Sequence, residues 1–447
     1  MLQRLVSRRQ VVLSATAAGS GLALAACGAP GVQEPAGGVS SAPLTLLWAV
    51  RGGGTPEMRD RLLAEYKTVR PNVTVEQFDA SGGIAPSIEK IAAGLAAGLN
   101  IDFINGHLAS RQLIESIDAV QAIDDLVRRD KFDLGRYNKD ALESTGRYDS
   151  KLYTVPYAYG GDVAAVGYNK SLFRQAGVPE PSADWSKPWT WEEFREAMRR
   201  LTKPDGSQVG LASIGFWLHT FPMQWNARWL TNDYRTITSD SPAMMDAMTK
   251  LTDLIFKDRV TGITPGVTSG SGDNAFFQGK AAVALPCCYA SRFARSTKGT
   301  GVELGFITFP KGTVSTLDVS PVVMGIAKVT KQRNEAWDFM KFMDDKSRLA
   351  AAEERIPAVL PDMLPWVKQN FAEFPDSKAE MIVEGMRVAK PLEPLRYHPQ
   401  WQKIDAEVLA PAWKEVMEQK RTGTDMLKAV KPLLQNIVDE HARSRRK

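Results

Sequence analysis

Cysteine, histidine and long hydrophobic runs are all scarce in this chain of 447 residues. Three cysteines exclude a disulfide framework, and the four histidines are too widely spaced for a metal-ligand pattern, so we expect no metal site. The sequence also lacks the nucleophile elbow of serine hydrolases, the HExxH motif of zinc proteases and the phosphate-binding P-loop. It therefore predicts neither an enzyme nor a bound cofactor.

A strong excess of one charge sign is absent too, since 56 basic residues stand against 51 acidic ones. The net charge of +5 owes much to the termini, with Arg4, Arg8 and Arg9 at one end and a basic cluster within residues 443–447 at the other. Nucleic-acid binding requires a basic face on the folded body rather than basic ends. We therefore expect no nucleic-acid partner.

The first 26 residues have the layout of a signal peptide. Arg4, Arg8 and Arg9 precede Val11–Ala26, which is uncharged but too short and too rich in Ser, Thr and Gly to span a membrane. Ser7–Leu13 resembles the twin-arginine export motif, although paired arginines also occur by chance in signals of the general export route. A buried N-terminal helix is the alternative interpretation.

A lipid anchor and a flexible tether are predicted to follow the signal peptide. Leu24–Cys27 (LAAC) resembles the bacterial lipobox, in which the cysteine receives lipid and becomes the mature N-terminus. Residues 27–43 are rich in Gly, Pro and Ser, a composition that cannot build a core and is typical of spacers. We expect an extracytoplasmic body held at the cell membrane by lipid on Cys27, with no membrane-spanning helix of its own.

From residue 44 onward, short apolar runs alternate with helical patterns. Leu44–Val50 is predicted as a buried strand, with Thr55 and Pro56 as the N-cap and first position of the next helix. Val73–Phe78 and Ile101–Ile104 are the next predicted strands. This β-α-β-α-β order predicts an α/β fold with mixed sheets flanked by helices. Ligands of such sheets bind beyond the carboxyl ends of the strands.

Three further local signals lie in the second part of the chain. Thr190 and Glu193 have the spacing of a capping box and predict the start of a helix. Ala281–Leu285 is predicted as a core strand ended by Pro286. Asn334–Met343 carries apolar residues at helical spacing. The alternation of strands and helices therefore continues beyond the first 120 residues.

Several short motifs occur in the order found in one protein family. They are Asp149–Tyr157, Tyr168–Phe173, Ala176–Pro179, Trp189–Phe194, Phe276–Val283, Asn334–Phe342 and Glu354–Ala358. On these motifs the chain resembles the extracellular solute-binding proteins of sugar-type ABC importers, of which the maltose-binding proteins are familiar members. The matches span roughly residues 44–357, which is most of the predicted body.

The resemblance implies two lobes, a hinge that the chain crosses three times, and a ligand cleft between the lobes. Lobe 1 would comprise residues 44–160 and 311–345, and lobe 2 residues 161–310 and 346–447. The crossings would fall near 156–162, 306–310 and 343–347. A solute that contacts both lobes would stabilise the closed state. The implied function is a monomeric receptor that captures a sugar or oligosaccharide and delivers it to an ABC transporter permease.

Four candidate ligand contacts belong to lobe 1 or its border. Trp48 ends the first strand and Arg51 precedes three glycines, which would let a ligand approach the backbone. A core tryptophan and a solvated arginine are the alternatives. His107 follows the third strand, in a loop that faces the ligand by the sheet rule, or is an ordinary surface histidine. The resemblance adds Asp162 at the first crossing, with a turn residue as the alternative.

The lobe 2 candidates are aromatic, because flat rings stack on the apolar faces of sugars. Family members draw stacking residues from a segment that matches residues 216–229, which suggests Trp217 and Trp225; a buried stripe is the alternative. Tyr289 takes the place of a family tryptophan, although Cys287–Cys288 replaces the glycine that accompanies it. Tyr397 lies in a segment similar to a loop that closes on the ligand, or packs within its own lobe.

Cys287 and Cys288 are expected to be free and buried. Adjacent cysteines pair only through a strained ring, because their Cα atoms lie about 3.8 Å apart across a trans peptide. A vicinal disulfide that presents an apolar plate to a ligand is the alternative.

Two other functions stay open on the sequence. The same fold could bind a non-sugar solute such as a glycerol-phosphate or a polyamine, and Arg51, Arg292 and Arg396 could serve a phosphate group. An exported carbohydrate-active enzyme would need two carboxyl groups in the cleft, and the sequence indicates no such pair.

Overall fold

Strands and helices alternate along the chain in the computed structural model, which describes residues 38–445 apart from 52–53, 83, 107–108, 160–165, 213–216, 262–272, 285–289, 317, 320, 389 and 392. The strands are β1 (Leu44–Val50), β2 (Val73–Asp79), β3 (Phe103–Gly106), β4 (Arg147–Tyr148), β5 (Lys151–Leu152), β6 (Thr154–Tyr159), β7 (Val166–Asn169), β8 (Val209–Leu211), β9 (Ala281–Ala284), β10 (Leu304–Ile307), β11 (Asp318–Val319), β12 (Pro321–Ile326), β13 (Ile356–Pro357) and β14 (Lys390–Pro391).

The helices follow the same order. They are α1 (Pro56–Val69), α2 (Ile84–Ala96), α3 (Ser110–Ile117), α4 (Asp124–Asp130), α5 (Lys139–Ala141), α6 (Lys170–Gln175), α7 (Trp191–Arg200), α8 (Trp217–Thr220), α9 (Pro242–Thr252), α10 (Asp273–Phe277), α11 (Ala290–Ser296), α12 (Arg333–Asp344), α13 (Arg348–Ala352), α14 (Leu360–Asn370), α15 (Met381–Val388), α16 (Trp401–Lys403), α17 (Ala410–Met417) and α18 (Gly423–Ser444). None of these helices is both long enough and apolar enough to cross a membrane.

A mixed six-stranded sheet forms the centre of lobe 1, in the order β13-β6-β12-β3-β1-β2. β1 pairs in parallel with β2 and β3, whereas β12 pairs antiparallel with β3 and β6. The carboxyl ends of β1, β3 and β6 therefore lie at one edge, which we call the carboxyl edge. This is the edge at which the sequence predicts the ligand.

Local signals explain why β1 and α1 form where they do. Leu46, Trp48 and Val50 pack into one core cluster and Ala49 into another, so both faces of the strand are covered, as its unbroken apolar run predicts. Thr55 caps α1 by accepting a hydrogen bond from the Met58 amide. These interactions confirm the predicted strand and helix start.

A four-stranded sheet in the order β10-β7-β9-β8 forms the centre of lobe 2. All four residues of β9 are buried, which confirms the predicted core strand. The capping box of α7 is also confirmed, because Thr190 Oγ1 accepts from the Glu193 amide at 3.2 Å and Glu193 Oε2 accepts from the Thr190 amide at 2.9 Å. The two mixed sheets with flanking helices are the α/β architecture that the sequence predicts.

Two of the predicted crossings between the lobes lie elsewhere in the structure. The second passage between the sheets runs from the end of β10 to the start of β12, which is residues 308–320 rather than 306–310. β13 then pairs with β6 in the first sheet, with Ile356 opposite Tyr159, so lobe 1 extends through Pro357 instead of ending at residue 345. Phe371 packs on Phe306, which places the end of α14 against lobe 2. The first crossing, at 160–165, lies outside the described residues.

Candidate functional site

Trp48 lies in the core of lobe 1 and offers no surface to a ligand. Its exposed fraction is 0%, and its ring contacts Phe103 and Phe339 edge-on at centroid distances of 6.1 and 5.9 Å. Its Nε1 donates to Asn105 Oδ1 at 2.8 Å. The structure corrects the prediction of a ligand contact here, because α12 supplies the phenyl ring that covers this face of β1.

Beyond Trp48, buried polar groups are linked at the carboxyl edge. Asn105 Nδ2 donates to the Tyr157 hydroxyl at 2.9 Å and to Glu353 Oε1 at 3.1 Å. Tyr157 and the Arg355 Nε each donate to Glu353 Oε2 at 2.8 Å. The side chains of Glu353 and Arg355 are 0% and 2% exposed. We call Trp48, Asn105, Tyr157, Glu353 and Arg355 the carboxyl-edge hub.

Within the hub, Tyr157 is a hydrogen-bond donor and Glu353 is the acceptor. Burial, and after it the Glu353 charge, raises the pKa of Tyr157 well above its ordinary value, so this hydroxyl stays a hydrogen-bond donor. Glu353 accepts from three side chains and is paired with a guanidinium, which is the arrangement that a buried carboxylate requires. The hub therefore links β3, β6 and the segment before β13 at the carboxyl edge.

The loop after β1 rests on the segment that carries the hub. Gly54 has a φ of +68°, and a Cβ at this position would lie 2.2 Å from the carbonyl oxygen of Ala352. Only glycine fits such a close approach. Arg51, in the same loop, is half-buried and its Nε donates to Ser87 Oγ at 3.1 Å. Arg51 thus stays a candidate contact at the carboxyl edge.

Trp225 is a core residue of lobe 2. Its ring lies 5.6 Å from that of Trp191 and 4.5 Å from that of Phe221, and the side chain is buried. A Cβ on Gly312 would come within 2.8 Å of its indole ring, so the backbone closes over one side. The structure therefore supports the alternative of a buried aromatic stripe and corrects the predicted stacking role.

Several predicted contacts fall outside the described residues. His107, Asp162, Tyr289 and the pair Cys287–Cys288 lie there, and so do the signal peptide and Cys27. Trp217 begins α8, but nothing is described of its side chain. These residues remain predictions.

Tyr397 reaches the carboxyl edge of lobe 1 from the C-terminal part of the chain. It is buried with Ala109, which follows β3 closely, and with the partly buried Tyr234. The Gln112 Nε2 on α3 donates to the Arg396 carbonyl oxygen at 3.3 Å, which fixes the neighbouring backbone. The structure thus brings the predicted Tyr397 to the place where the sheet rule expects a ligand.

A cavity of about 560 Å³ opens beside Tyr397 between elements of the two lobes. Lobe 1 contributes α3, α5 and the β4–β5 turn, and the segments 228–234 and 390–397 form the other wall. Three tyrosines line it, Tyr148, Tyr234 and Tyr397. The Arg111 guanidinium lies 4.2 Å from the Tyr234 ring centroid and 5.1 Å from that of Tyr148, so it stiffens both aromatic side chains.

The profile of the family described as bacterial extracellular solute-binding protein matches residues 56–346, which is well over half of the chain. The chain belongs to this family. A putative binding protein of Brucella abortus is 25% identical over 302 residues, covering 65% of this chain and 68% of the relative.

Solved structures show the same two-lobe fold. An ABC substrate-binding protein of Listeria monocytogenes in complex with cycloalternan superposes with a TM-score of 0.72 at 18% identity, covering 88% of this chain and 99% of that one. UgpB of Mycobacterium tuberculosis in complex with glycerophosphocholine superposes with a TM-score of 0.70 at 17% identity, covering 90% and 100%. At these identities the likeness establishes the architecture of this solute-binding protein.

A second buried polar cluster, in lobe 2, was not singled out by the sequence. His219 packs its ring on Trp401 at 5.2 Å and faces Trp229 at 6.3 Å. Glu393 Oε1 accepts from the amides of Leu230 at 2.9 Å and Leu395 at 3.4 Å. We call His219, Trp229, Glu393 and Trp401 the lobe 2 cluster. It joins the segment 228–234 to the turn Pro394–Tyr397, which together form one wall of the cavity.

Two atoms of the lobe 2 cluster have no hydrogen-bond partner among the described residues. They are His219 Nδ1 and Glu393 Oε2, and both are buried. Burial lowers the pKa of His219 to about 3, with a smaller effect of the Arg396 charge, so the ring is neutral. Burial raises the pKa of Glu393 to about 7. Buried polar atoms left without a partner are costly unless a ligand or water completes them.

Proposed function

We propose that this solute-binding protein is the receptor of an ABC importer and that its solute is a sugar or an oligosaccharide. The observation that carries the proposal is the cavity between the lobes, with Tyr148 on one wall and Tyr234 and Tyr397 on the other. Tyrosine combines a flat apolar ring with a hydroxyl, and so it can meet both the C–H faces and the hydroxyl groups of a sugar.

The charges that line the cavity favour an uncharged solute. Arg111 pairs with Glu115 at 2.5 Å, Arg147 with Glu143 at 3.1 Å, and Lys390 with Asp140 at 2.6 Å. These three cations therefore each have a carboxylate beside them, and an anionic solute would compete with that carboxylate. Polar groups whose charges are balanced serve well as donors and acceptors for hydroxyl groups.

Transport would follow from closure of the two lobes around the solute. A solute that touches both walls binds the closed arrangement better than the open one and shifts the population towards it. The permease would then recognise the closed form. No bond in the solute is made or broken, so the proposal includes no catalysis.

The N-terminal prediction completes this proposal. A signal peptide at 1–26, lipid on Cys27 and the tether to residue 43 would hold the monomeric receptor beside its transporter at the outer face of the cell membrane. Replacing Cys27 by Ser should release the protein from washed membranes. Retention of the Cys27→Ser variant in the membrane fraction would contradict the anchor.

A phosphorylated solute is the second candidate, because four cations line the cavity, Arg111, Arg147, Arg228 and Lys390. Such a solute would have to displace the carboxylate partners of Arg111, Arg147 and Lys390. Its binding would therefore weaken steeply with salt, whereas binding of a neutral sugar would not.

Calorimetric titration at two salt concentrations separates the candidates. Maltotriose, cycloalternan and glycerophosphocholine are suitable probes, and native mass spectrometry of the purified protein reports any solute retained from the cell. We expect salt-insensitive binding of a saccharide. Binding of glycerophosphocholine alone, weakened by salt, would overturn the sugar proposal in favour of the phosphodiester.

A further inference from the structure

A carboxylate at the carboxyl edge of lobe 1 is joined to two arginines of lobe 2. Glu354 Oε2 lies 3.3 Å from Arg292 Nη2, and Glu354 Oε1 lies 3.0 Å from Arg295 Nη2. The Glu354 side chain is 27% exposed and the two arginines are 52% and 34% exposed. The contact is therefore partly exposed and open to ions in solution.

Glu354 is firmly attached to lobe 1. It follows the hub residue Glu353 and precedes β13, which pairs with β6. Its φ of 56° is a left-handed conformation that a side-chain-bearing residue rarely adopts. The amides of Glu354 and Arg355 donate to the carbonyl oxygens of Ala351 and Ala350 at 3.1 and 2.9 Å. The surrounding backbone thus aims the Glu354 carboxylate outward from the sheet edge.

The two arginines are as firmly attached to lobe 2. They lie one helical turn apart on α11, and Phe293 between them packs on Phe276 at 5.2 Å. A Cβ on Gly167 of β7 would lie 2.8 Å from the Phe293 ring, so this helix sits directly on the second sheet. Neither side of the ion pair can follow the other if the lobes separate.

We propose that Glu354, Arg292 and Arg295 form a latch that stabilises the closed arrangement of the lobes in the absence of solute. The inference goes beyond the proposed function, because the latch acts on the lobes whatever the solute is. One carboxylate bridged by two guanidinium groups loses both contacts when the lobes part. Because the groups are half-exposed, their attraction is modest and is screened by salt.

The latch can be measured on the full-length protein without any solute. Spin labels carried by non-natural amino acids at Glu89 in lobe 1 and Lys203 in lobe 2 leave the native cysteines untouched, and pulsed electron resonance then gives the interlobe distances. We expect Glu354→Gln to lower the ratio of the short-distance to the long-distance population by about two- to fivefold. This is the size expected for a half-exposed ion pair. About 1 M NaCl should lower the ratio of the wild-type protein similarly and leave that of the variant unchanged.

The ion pair Arg174–Glu303 provides a matched control. It lies entirely within lobe 2, at 2.6 Å, and Glu303→Gln removes it without touching the cleft. This variant should keep the wild-type distances. The charge exchange Glu354→Arg with Arg295→Glu should restore part of the short-distance population.

Identical distance distributions for the wild-type protein and Glu354→Gln would overturn the latch. A Glu303→Gln effect as large as that of Glu354→Gln would do the same, because it would show a general response to lost charge. Since no solute is added, none of these outcomes depends on whether the protein binds a sugar.

Discussion

The two lobes each contain a buried polar cluster built around a glutamate, and the two carboxyl groups differ in how completely their hydrogen bonds are made. In the carboxyl-edge hub, both oxygens of Glu353 accept hydrogen bonds, and Arg355 balances its charge. In the lobe 2 cluster, His219 Nδ1 and Glu393 Oε2 are buried without a partner among the described residues. The carboxylate of the first cluster is fully hydrogen-bonded, whereas the carboxyl group of the second has bonding capacity left over.

This difference suggests that the two clusters differ in rigidity. A complete buried network gives rigidity, because any displacement breaks several hydrogen bonds at once. An incomplete network lowers stability until a ligand or water completes its hydrogen bonds. The hub is therefore suited to hold the edge of the first sheet still. The lobe 2 cluster is less firmly held and lies behind one wall of the cavity, next to Arg228 and Pro394.

Breaking the hub should give the largest effect. Arg355→Met leaves the Glu353 carboxylate buried without its cation, and we expect unfolding free energy to fall by about 3–5 kcal/mol. Urea denaturation measures the loss. The exposed pair Arg174–Glu303 is the control, and Glu303→Gln should produce no measurable change. A loss of less than about 1 kcal/mol in Arg355→Met would show that the hub is not a rigid support.

Removing an aromatic wall of the cavity should act on binding more than on folding. Tyr397→Ala should weaken affinity for the solute found by titration by about 2–4 kcal/mol, the usual range for a buried aromatic anchor. Trp225→Phe, a change within the core of lobe 2, should leave the affinity unchanged. If calorimetry gives the two variants equal affinities, Tyr397 does not belong to the site.

The next largest effect is a pH dependence of stability that comes from Glu393 in the lobe 2 cluster. Burial raises the pKa of Glu393 from 4.5 to about 7, so the folded state holds its proton more tightly than the unfolded state. This contribution to stability is complete below pH 4.5 and is lost as the pH rises to about 7. Relative to Glu393→Gln, the wild-type protein should therefore lose about 2–3 kcal/mol between these values.

Unfolding curves of both proteins from about pH 4.5 to 8 test this difference. The variant keeps the oxygen that accepts from the amides but lacks the titrating group, so its stability should depend less on pH. Parallel curves would mean that Glu393 titrates normally, and that lobe 2 carries no strained carboxyl.

The smallest expected effect is that of replacing His219, and a hub residue provides the contrast. His219→Leu replaces an unpartnered ring nitrogen with apolar atoms, and we expect stability to stay level or rise by about 1 kcal/mol. Asn105→Leu breaks three hub contacts and should lower stability by about 2–3 kcal/mol. Thermal unfolding of the two variants decides the sign. A clear loss in His219→Leu would show that Nδ1 is satisfied, and the contrast between the clusters would disappear.

Sequence alone determined the local structure of this protein. The Thr55 cap and the Thr190–Glu193 capping box depend on residues three positions apart, so their geometry is visible in the order of the side chains. The apolar runs that became β1 and β9 are equally local. Family motifs in order then sufficed for the two-lobe architecture, and the family profile confirms that membership.

Tertiary structure alone decided which side chains face the cleft. Trp48 and Trp225 stand where a ligand contact is plausible, but α12 and the backbone at Gly312 cover them. Tyr397 lies no closer to the strand ends in sequence, yet it packs on Ala109. The reason is physical: a strand or helix fixes only which way a residue points, and whether that direction leads to a core or a cavity depends on segments hundreds of residues away.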